Sequence, residues 1–360
     1  MHTVRTVERL EAIVGAPRAV VLMKAIEELD DGCRGVLAAS PIAWFGFRDH
    51  DGTPRTTLIG GFSGFLRVDS PTRVSLDAES SPYGPVSGGG ASFVFLLPGI
   101  GETLRVNGWV VQRSGTRVVV DVQEAFVHCA RCILRSGLWT DASANRSTSV
   151  IGLGAAATGP LADAAVAEFL ASSPFAAVSS WDGEGFGDTS PKGDHPGFIR
   201  ILDNQTLAIP DRRGNQRADT LHNILACDRV SLAALVPGRV EILHLDGTAH
   251  VTDEPELLRT MAVGDRPPKA ALIVRIRHAR IEPNEAVHRS NLWSRSSHVD
   301  PSAAPDLMRL AARHLAQNRT RGATASLART FSRGLAASPA KLLRLGVDRA
   351  YRKQLTDEGY

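Results

Sequence analysis

An internal repeat constrains the fold of this sequence more than any other feature. Its longest block aligns GFLRVDSPTRVSLD (Gly64–Asp77) with GFIRILDNQTLAIP (Gly197–Pro210), 133 positions later and without a gap. Two further pairs of segments follow in the same order: LLPGIGETLRVNG with LVPGRVEILHLDG 139 positions later, and RSGLW with RSNLW 154 positions later. Chance similarity explains this poorly, because the blocks keep their order and each length change falls between them. We predict a tandem duplication.

Each copy has the pattern of short strands separated by turns. Apolar runs such as Ala176–Ser180, Thr206–Ile209, Arg229–Leu235 and Ala271–Ile276 alternate with Gly, Pro, Asp and Asn. This spacing favours antiparallel barrels over alternating βαβ units. The predicted fold class is therefore mainly β with flanking helices, in two tandem barrels.

Helical patterns surround the predicted barrels. Thr6–Ile13 and Arg18–Leu29 are amphipathic, Ala162–Ala171 precedes the second copy, and Asp253–Val263 begins with a capping Asp followed by Pro255. A stretch rich in Ala, Ser, Thr and Gly separates the copies and is typical of a linker. The expected domain limits are 1–35 for a helical lead-in, 36–141 for the first barrel, 142–164 for the linker, 165–298 for the second barrel and 299–360 for a helical tail.

Composition and charge exclude several classes of protein. The chain is 43% hydrophobic and 22% charged, as globular proteins are, and no apolar run approaches the roughly 18 residues that span a bilayer. The four cysteines are too few for a disulfide framework, and the CxxC of Cys129 and Cys132 has no second pair at zinc spacing, so no metal site is predicted. The N-terminus has scattered charges and does not resemble a signal peptide, so we expect a cytoplasmic location.

The tail accounts for the net positive charge of the chain. Residues 301–360 contain 11 Lys and Arg against 4 Asp and Glu, so the tail has a charge of +7 and the rest of the chain −4. We expect it to dock on the body of the protein or on a second protomer. It lacks the interleaved aromatic residues of a single-strand nucleic-acid site, and no clear nucleic-acid site is predicted elsewhere.

The richest polar cluster lies in the second copy. It consists of SPKGD (Ser190–Asp194) and, one strand later, IPDRRGNQRADTLHNI (Ile209–Ile224). Basic side chains, neutral donors and glycines that permit close backbone approach suit a phosphate group. Such residues here are Ser190, Lys192, Gly193, Arg212, Arg213, Gly214, Asn215 and Arg217. Charged turns are more commonly solvated surface, so the residues alone leave both interpretations open.

The order of these motifs resembles a known family. SPKGD, GFIRILDNQTLAIPDRRGNQRADTLHNI, LVPG and the later RPPK (Arg266–Lys269) look like the pyridoxamine 5′-phosphate oxidase-like FMN-binding family, and the resemblance covers about residues 6–298. It implies two tandem split β-barrels followed by the helical tail. In this family the segment matching Ile209–Arg217 wraps the flavin phosphate. The resemblance therefore implies that the second copy binds the cofactor through Ser190, Lys192, Arg212, Asn215 and Arg217.

The first copy lacks the phosphate cluster but keeps other family motifs. It has TLIGG opposite SPKGD. Opposite DRRGNQR (Asp211–Arg217), the Arg-rich loop of the second copy, it has AESSPYGPVSGGG, which contains no basic residue. It retains ETLRVNG (Glu102–Gly108) and EAFVHCARCILRSGLW (Glu124–Trp139), both similar to the family pattern. Family members are homodimers with flavin sites at the subunit interface, so the resemblance implies one site shared by the two copies.

The resemblance assigns a second set of candidates to the first copy. The candidate catalytic residues are His128, Arg131 and Arg105, and the candidate cofactor-binding residues are Arg135, Ser136 and Trp139. Arg135 and Trp139 recur in the second copy as Arg289 and Trp293, which fits a packing role equally well.

The implied activity is that of an FMN-dependent oxidoreductase. Its partners would be a small-molecule substrate and an electron donor such as a reduced nicotinamide or a reductase. Deazaflavin and haem are the alternative cofactors. Two other functions stay open: a non-catalytic binder of flavin or haem on the same fold, and a degenerate flavoprotein that acts as an interaction scaffold.

Overall fold

The computed structural model describes residues 2–78, 84–140, 158–214, 217–318, 329–330, 332–334 and 340–360. In the first half the elements are α1 (Val7–Val14), α2 (Ala19–Leu22), α3 (Asp31–Ala39), β1 (Ile42–Arg48), β2 (Pro54–Gly60), β3 (Leu66–Ser70), β4 (Arg73–Asp77), β5 (Gly90–Leu96), β6 (Thr103–Ser114), β7 (Arg117–His128) and α4 (Arg131–Ser136). In the second half they are α5 (Ala164–Ser172), β8 (Phe175–Trp181), β9 (Gly187–Gly193), β10 (Arg200–Ile201), β11 (Thr206–Pro210), α6 (Asp219–Ala226), β12 (Arg229–Leu235), β13 (Glu241–Thr252), α7 (Pro255–Thr260), β14 (Ala271–Pro283), α8 (Glu285–Arg289), α9 (Leu307–Gln317) and α10 (Ala340–Glu358).

The two halves have the same sheet topology. One seven-stranded antiparallel sheet has the order β2-β1-β5-β6-β7-β4-β3, and the other has the corresponding order β9-β8-β12-β13-β14-β11-β10. Registers agree as well: Ile42 pairs with Gly60 where β1 meets β2, and Phe175 pairs with Gly193 where β8 meets β9. The predicted fold class of two tandem split barrels with flanking helices and a helical C-terminal region is confirmed.

A β-bulge recurs at the same place in both sheets. The register shifts at Asn107/Gly108 between β6 and β7, and at Asp246/Gly247 between β13 and β14. A Cβ on Gly108 would lie 2.0 Å from the carbonyl oxygen of Asp121, and one on Gly247 would lie 1.9 Å from that of Arg275. Only glycine permits this close approach of two strands.

Each barrel has its own apolar core, and each core is completed by a segment distant in the sequence. Val36, Phe93 and other first-barrel residues pack with Leu307 and Leu310 of α9. The second-barrel core instead includes Leu10 of α1, near the N-terminus. The predicted docking of the basic tail on the body of the protein thus has a structural counterpart in α9.

The barrels meet face to face through a third core and a polar ladder. Ile42 and Trp44 of the first barrel lie in one cluster with Phe175 and Leu235 of the second. Beside it, hydroxyl contacts between Thr56 and Ser231 (2.5 Å) and between Ser92 and Thr189 (2.6 Å) join the two barrels. Thr56 and Thr189 are equivalent positions of the repeat, and so are Ser92 and Ser231. The same contact therefore occurs twice with the roles of the two barrels reversed, as it does in a two-fold symmetric dimer. The chain is therefore a covalent pseudo-dimer.

Two helix predictions need correction. Arg18–Leu29 is helical only over Ala19–Leu22, because Ile26 pairs with Ala125 as a β-bridge and draws the chain into an extended conformation. Asp253 does not cap α7: Glu254 occupies the N-cap position, and its N–H donates to the hydroxyl of Thr252. Across the described part of the chain, every helix is too short or too polar to cross a membrane.

Candidate functional site

A cavity of about 580 Å³ opens between the two barrels. Its walls come from β6, β7 and α4 of the first barrel, and from β9, the loop after β11 and the start of α6 of the second barrel. The segment after α1, the loop after α7 and the C-terminal residues complete the lining. The size lies within the range of small-molecule and cofactor sites.

The lining is strongly cationic. Among the described residues, ten basic and three acidic ones contribute to it, and the basic ones are Arg18, Arg105, Arg131, Arg135, Lys192, Arg212, Arg213, Arg217, Arg266 and Lys269. A concave surface with this excess of positive charge raises the local concentration of anions. The preferred ligand is therefore negatively charged.

The second barrel contributes the part of the wall best suited to a phosphate. Ser190 and Lys192 lie on β9, and the loop 210–214 follows β11. The first turn of α6 lines the same space, so the positive end of its helix dipole lies at the cavity. The hydroxyl oxygen of Thr220, in that turn, is buried and has no hydrogen-bond partner among the described residues.

Lys192 is incompletely neutralised by its neighbour. Its Nζ lies 3.9 Å from Oδ1 of Asp211. Burial lowers the pKa of Lys192 and raises that of Asp211, while the attraction between the two opposes both shifts. An anion beside the ammonium group would restore the interactions that Lys192 loses on leaving water.

Arg212 and Arg217 are held by carboxylates. Nε of Arg212 donates to Asp194, which is buried at the end of the SPKGD motif. Arg217 donates to Glu124 of the first barrel and to Asp219, each at 2.7 Å, and stacks over Phe126 with its guanidinium carbon 4.0 Å from the ring centroid. Arg217 thus joins the barrels as well as lining the cavity.

Arg105 is the most deeply buried of the cationic residues at the site. Its side chain is 2% exposed and forms an ion pair with Asp188 of the second barrel, with Asp219 3.8 Å from Nη1. Burial lowers the pKa of Arg105 to about 10, although the carboxylate of Asp219 opposes the shift. It remains a cation at neutral pH, in surroundings where charge interactions are strong.

His128 ends β7 at the cavity wall. Burial lowers the pKa of His128 well below its ordinary value, and the positive charges of Arg105 and Lys192 lower it further. The imidazole is therefore neutral at physiological pH and has both a donor and an acceptor nitrogen.

Arg131 and Arg135 lie one turn apart on α4 and hold the second barrel's loop. Nη1 of Arg131 donates to the carbonyl oxygen of Gly214 at 3.1 Å, and Nη1 of Arg135 donates to that of Arg213 at 2.8 Å. Nε of Arg135 also donates to the carbonyl oxygen of Gly193 at 3.2 Å. The first barrel therefore braces the backbone of the Arg-rich loop.

Some predicted residues are not brought to the cavity. The hydroxyl of Ser136 donates to Ile133 within α4, and Nε1 of Trp139 donates to the carbonyl oxygen of Ile100. Trp293 makes the matching bond to Arg239, and the two indoles lie 6.4 Å apart, so these tryptophans pack the interface between the halves. Asn215 lies outside the described residues.

Cys132 of the CxxC is buried, and burial raises the pKa of its thiol to about 12. A group with this pKa is protonated at neutral pH, which disfavours a nucleophilic role.

Several lining residues were not predicted from the sequence. Glu358 and Tyr360, at the far end of the chain, line the cavity together with Arg18 and Thr220. No local motif marks the two C-terminal residues, since the tail is basic as a whole. Thr220 lies three residues after Arg217 in the segment that resembles the family. Its position in the first turn of a helix is the feature that could have identified it as a lining residue.

The second barrel, which carries the basic cluster, also matches a family model. The model is described as pyridoxamine 5′-phosphate oxidase, and it matches residues 162–283. The second barrel belongs to the pyridoxamine 5′-phosphate oxidase family. No curated protein matches the chain significantly.

Three solved structures illustrate the similarity that the comparison detects. HupZ from Group A Streptococcus is 19% identical, with 31% of this chain and 86% of that chain covered and a TM-score of 0.27. A putative pyridoxamine 5′-phosphate oxidase from Lactobacillus delbrueckii is also 19% identical, with 29% and 83% covered and a TM-score of 0.24. A general stress protein 26 relative from Clostridium acetobutylicum is 14% identical, with 33% and 85% covered and a TM-score of 0.23.

The first barrel shares the topology of the pyridoxamine 5′-phosphate oxidase-like barrel without its basic cluster. In the first barrel Ala43 pairs with Ile59, and at the equivalent position of the second barrel Ala176 pairs with Lys192. An apolar side chain thus stands where the second barrel has an ammonium group. At the equivalent of Arg135, whose side chain is 4% exposed, Arg289 is 54% exposed and pairs with Glu285.

Proposed function

We propose that this chain is an FMN-dependent oxidoreductase of the pyridoxamine 5′-phosphate oxidase-like type, with one flavin site in the cavity between the barrels. The observation that carries the proposal is the cavity itself, in which ten basic residues from both barrels and the flanking segments face three acidic ones. Membership of the second barrel in the family supports it. The two halves would act as the two subunits of a dimer that has kept one site.

The phosphate of the flavin would lie against the second barrel. Lys192, Arg212 and Arg213 would supply the charge, and Ser190 the neutral bond. The first turn of α6 and the unpartnered hydroxyl of Thr220 are additional donors. Hydrogen bonds to charged groups contribute about 1.5–3 kcal/mol each, so three of them would account for retention of a cofactor.

The first barrel would contribute Arg105, His128 and Arg131 near the substrate and the ring. A bound flavin would supply the redox chemistry. The fixed positive charge of Arg105 would stabilise negative charge that develops nearby, because Arg105 is buried and charge interactions are strong in such surroundings. His128, which is neutral, would donate or accept one hydrogen bond to orient a small-molecule substrate.

Binding of FMN and of riboflavin to the flavin-free protein tests the position of the phosphate. FMN is expected to bind at least tenfold more tightly than riboflavin. Lys192→Met is expected to weaken FMN binding about tenfold or more and to leave riboflavin binding unchanged, since one charged bond is removed. Fluorescence quenching of the two flavins gives the dissociation constants.

Lys353→Met serves as the matched control, because Lys353 is an exposed residue of α10. Equal affinity for FMN and riboflavin would contradict the proposed phosphate site.

Activity needs a separate measurement. The purified protein is expected to be yellow, to release FMN on denaturation as identified by mass, and to lose its flavin absorbance when a reduced nicotinamide or a reductase is added without oxygen. A flavin that no donor reduces would favour a non-catalytic binder. Release of deazaflavin or haem would overturn the cofactor assignment.

A further inference from the structure

The C-terminal segment covers one side of the cavity. Helix α10 ends at Glu358, and both Glu358 and Tyr360 belong to the lining. The hydroxyl of Tyr360 donates to Asp194 at 2.8 Å, and its ring stacks on His195 with centroids 5.2 Å apart. This C-terminal segment, called the cover below, therefore contacts the same SPKGD motif that contributes Lys192.

The carboxylate of Glu358 occupies the cationic space between Arg131 and Arg135. Its Oε1 lies 3.8 Å from Nη1 of Arg131, and its Oε2 lies 3.4 Å from Nη1 of Arg135. Both distances exceed the roughly 2.7–2.9 Å of a well-formed charge-assisted hydrogen bond. Nε of Arg131 is buried and lacks a hydrogen-bond partner among the described residues. The two guanidinium groups thus hold Glu358 loosely and retain capacity for a better-placed anion.

A basic helix presents an acidic residue to this space. The described part of α10 carries Arg349, Arg352 and Lys353, yet Glu358 is the charged side chain that reaches both arginines, while its neighbour Asp357 is exposed. The choice of a carboxylate at this point matches the charge of the site. Glu358 therefore has the chemistry of an internal ligand.

We propose that Arg131 and Arg135 form a subsite for the carboxylate of the substrate, and that Glu358 fills this subsite until a substrate displaces it. The inference rests on the proposed function, since it names the substrate class of that cavity: small molecules that carry a carboxylate. The flavin phosphate is assigned instead to Lys192 and to the side chains of the Arg-rich loop, whose backbone the two arginines brace. Displacement of Glu358 loosens the end of α10.

Other contacts of the segment define which part moves. Nη2 of Arg131 donates to Oε1 of Gln354 at 2.7 Å, whereas Tyr351 is buried and accepts from the N–H of Ala130 at 3.4 Å. Gln354 contacts Arg131 and both Glu358 and Tyr360 line the cavity, while Tyr351 is anchored outside the cavity. The moving part is therefore the last two turns of the chain.

Benzoate and its uncharged analogue benzamide test the subsite on flavin-free and FMN-loaded protein. Benzoate is expected to increase amide hydrogen exchange over residues 354–360, and benzamide is expected to leave it unchanged. Glu358→Gln is expected to tighten benzoate binding, measured by calorimetry, about fivefold, which corresponds to the loss of one partly exposed ion pair. Asp357→Asn, the adjacent exposed carboxylate, is the matched control and is expected to leave the affinity unchanged.

Other outcomes separate this inference from the proposed function. A protein that binds FMN but shows the same benzoate affinity before and after Glu358→Gln would overturn the subsite alone. A protein that ignores FMN but opens its C-terminal turns with benzoate would overturn the cofactor and support the subsite. If FMN competes with benzoate, or inorganic phosphate opens the cover and benzoate does not, the arginine pair binds a phosphate and the carboxylate assignment is wrong.

Discussion

The cavity residues have partners that only the folded chain brings together. Arg217 and Glu124 are 93 positions apart, and Arg105 meets Asp188 across the two barrels. Residue types predicted positive charge in the second copy, and the resemblance to the family identified Arg105, Lys192 and Arg217 as candidates. They left open that Arg105 and Arg217 each form an ion pair with a carboxylate of the other barrel, because ion pairing depends on distances that the sequence does not contain.

His128 makes acid stability a test at the residue scale. The pKa of His128 in the folded chain lies well below its ordinary value through burial and through the charges of Arg105, Lys192 and Arg217. Below about pH 6.5 the unfolded chain binds a proton that the folded chain does not, so the free energy of unfolding falls by about 1.4 kcal/mol per pH unit for this group. His128→Gln is expected to remove this contribution and to flatten the fall in unfolding free energy between about pH 6.5 and pH 5.

Urea unfolding at a series of pH values measures the slope. His288→Gln, at an exposed histidine, is the comparison. The pKa values of His244 and His250 are lowered by burial as well, so a smaller acid slope remains in the variant. An unchanged slope in His128→Gln would contradict the burial of a neutral imidazole.

At the scale of elements, the repeated bulge ties the sequence to the sheet. The motif VNG in the first copy and LDG in the second place a glycine at the same register shift. The glycine is needed since the opposite strand's carbonyl oxygen occupies the space of a side chain. The sequence showed that the glycine recurs, while the structure shows the contact that requires it.

Alanine at either bulge glycine is expected to destabilise the protein strongly. Gly108→Ala and Gly247→Ala each force a backbone carbonyl away from a new Cβ, and we expect a loss of about 3 kcal/mol or more in the free energy of unfolding. Gly35→Ala is the control: nothing lies within 4 Å of its Cβ in helix α3, and it should stabilise by about 0.5–1 kcal/mol. Denaturant unfolding measures all three, and tolerance of alanine at either bulge would refute the close approach.

At the scale of the whole molecule, the barrels form one unit. A shared apolar core, the hydroxyl ladder and the pair of Arg105 with Asp188 cross the interface. Loops of one barrel are braced by α4 of the other half. We therefore expect unfolding to be a single transition.

Removal of one interface carboxylate should weaken the entire chain. Asp188→Asn leaves the buried Arg105 with a weaker set of partners, and a loss of about 3 kcal/mol is expected, because uncompensated buried charge is costly. Asp77→Asn, which removes a surface contact 3.9 Å from Arg67, should cost less than about 1 kcal/mol. Tryptophan fluorescence and circular dichroism should report coincident transitions in both variants, and separate transitions for two barrels would contradict the shared core.

The sequence by itself determined the duplication, the antiparallel β class and the positive charge of the second copy's loop. These are properties of local pattern, since strand periodicity, turn residues and basic clusters are encoded within short segments. Tertiary structure decided that Ile26 pairs with a strand instead of continuing a helix, that Trp139 packs against Trp293, and that Glu358 reaches the arginines of α4. Each of these depends on contacts between distant segments, whose free energy outweighs local preference only once the chain has folded.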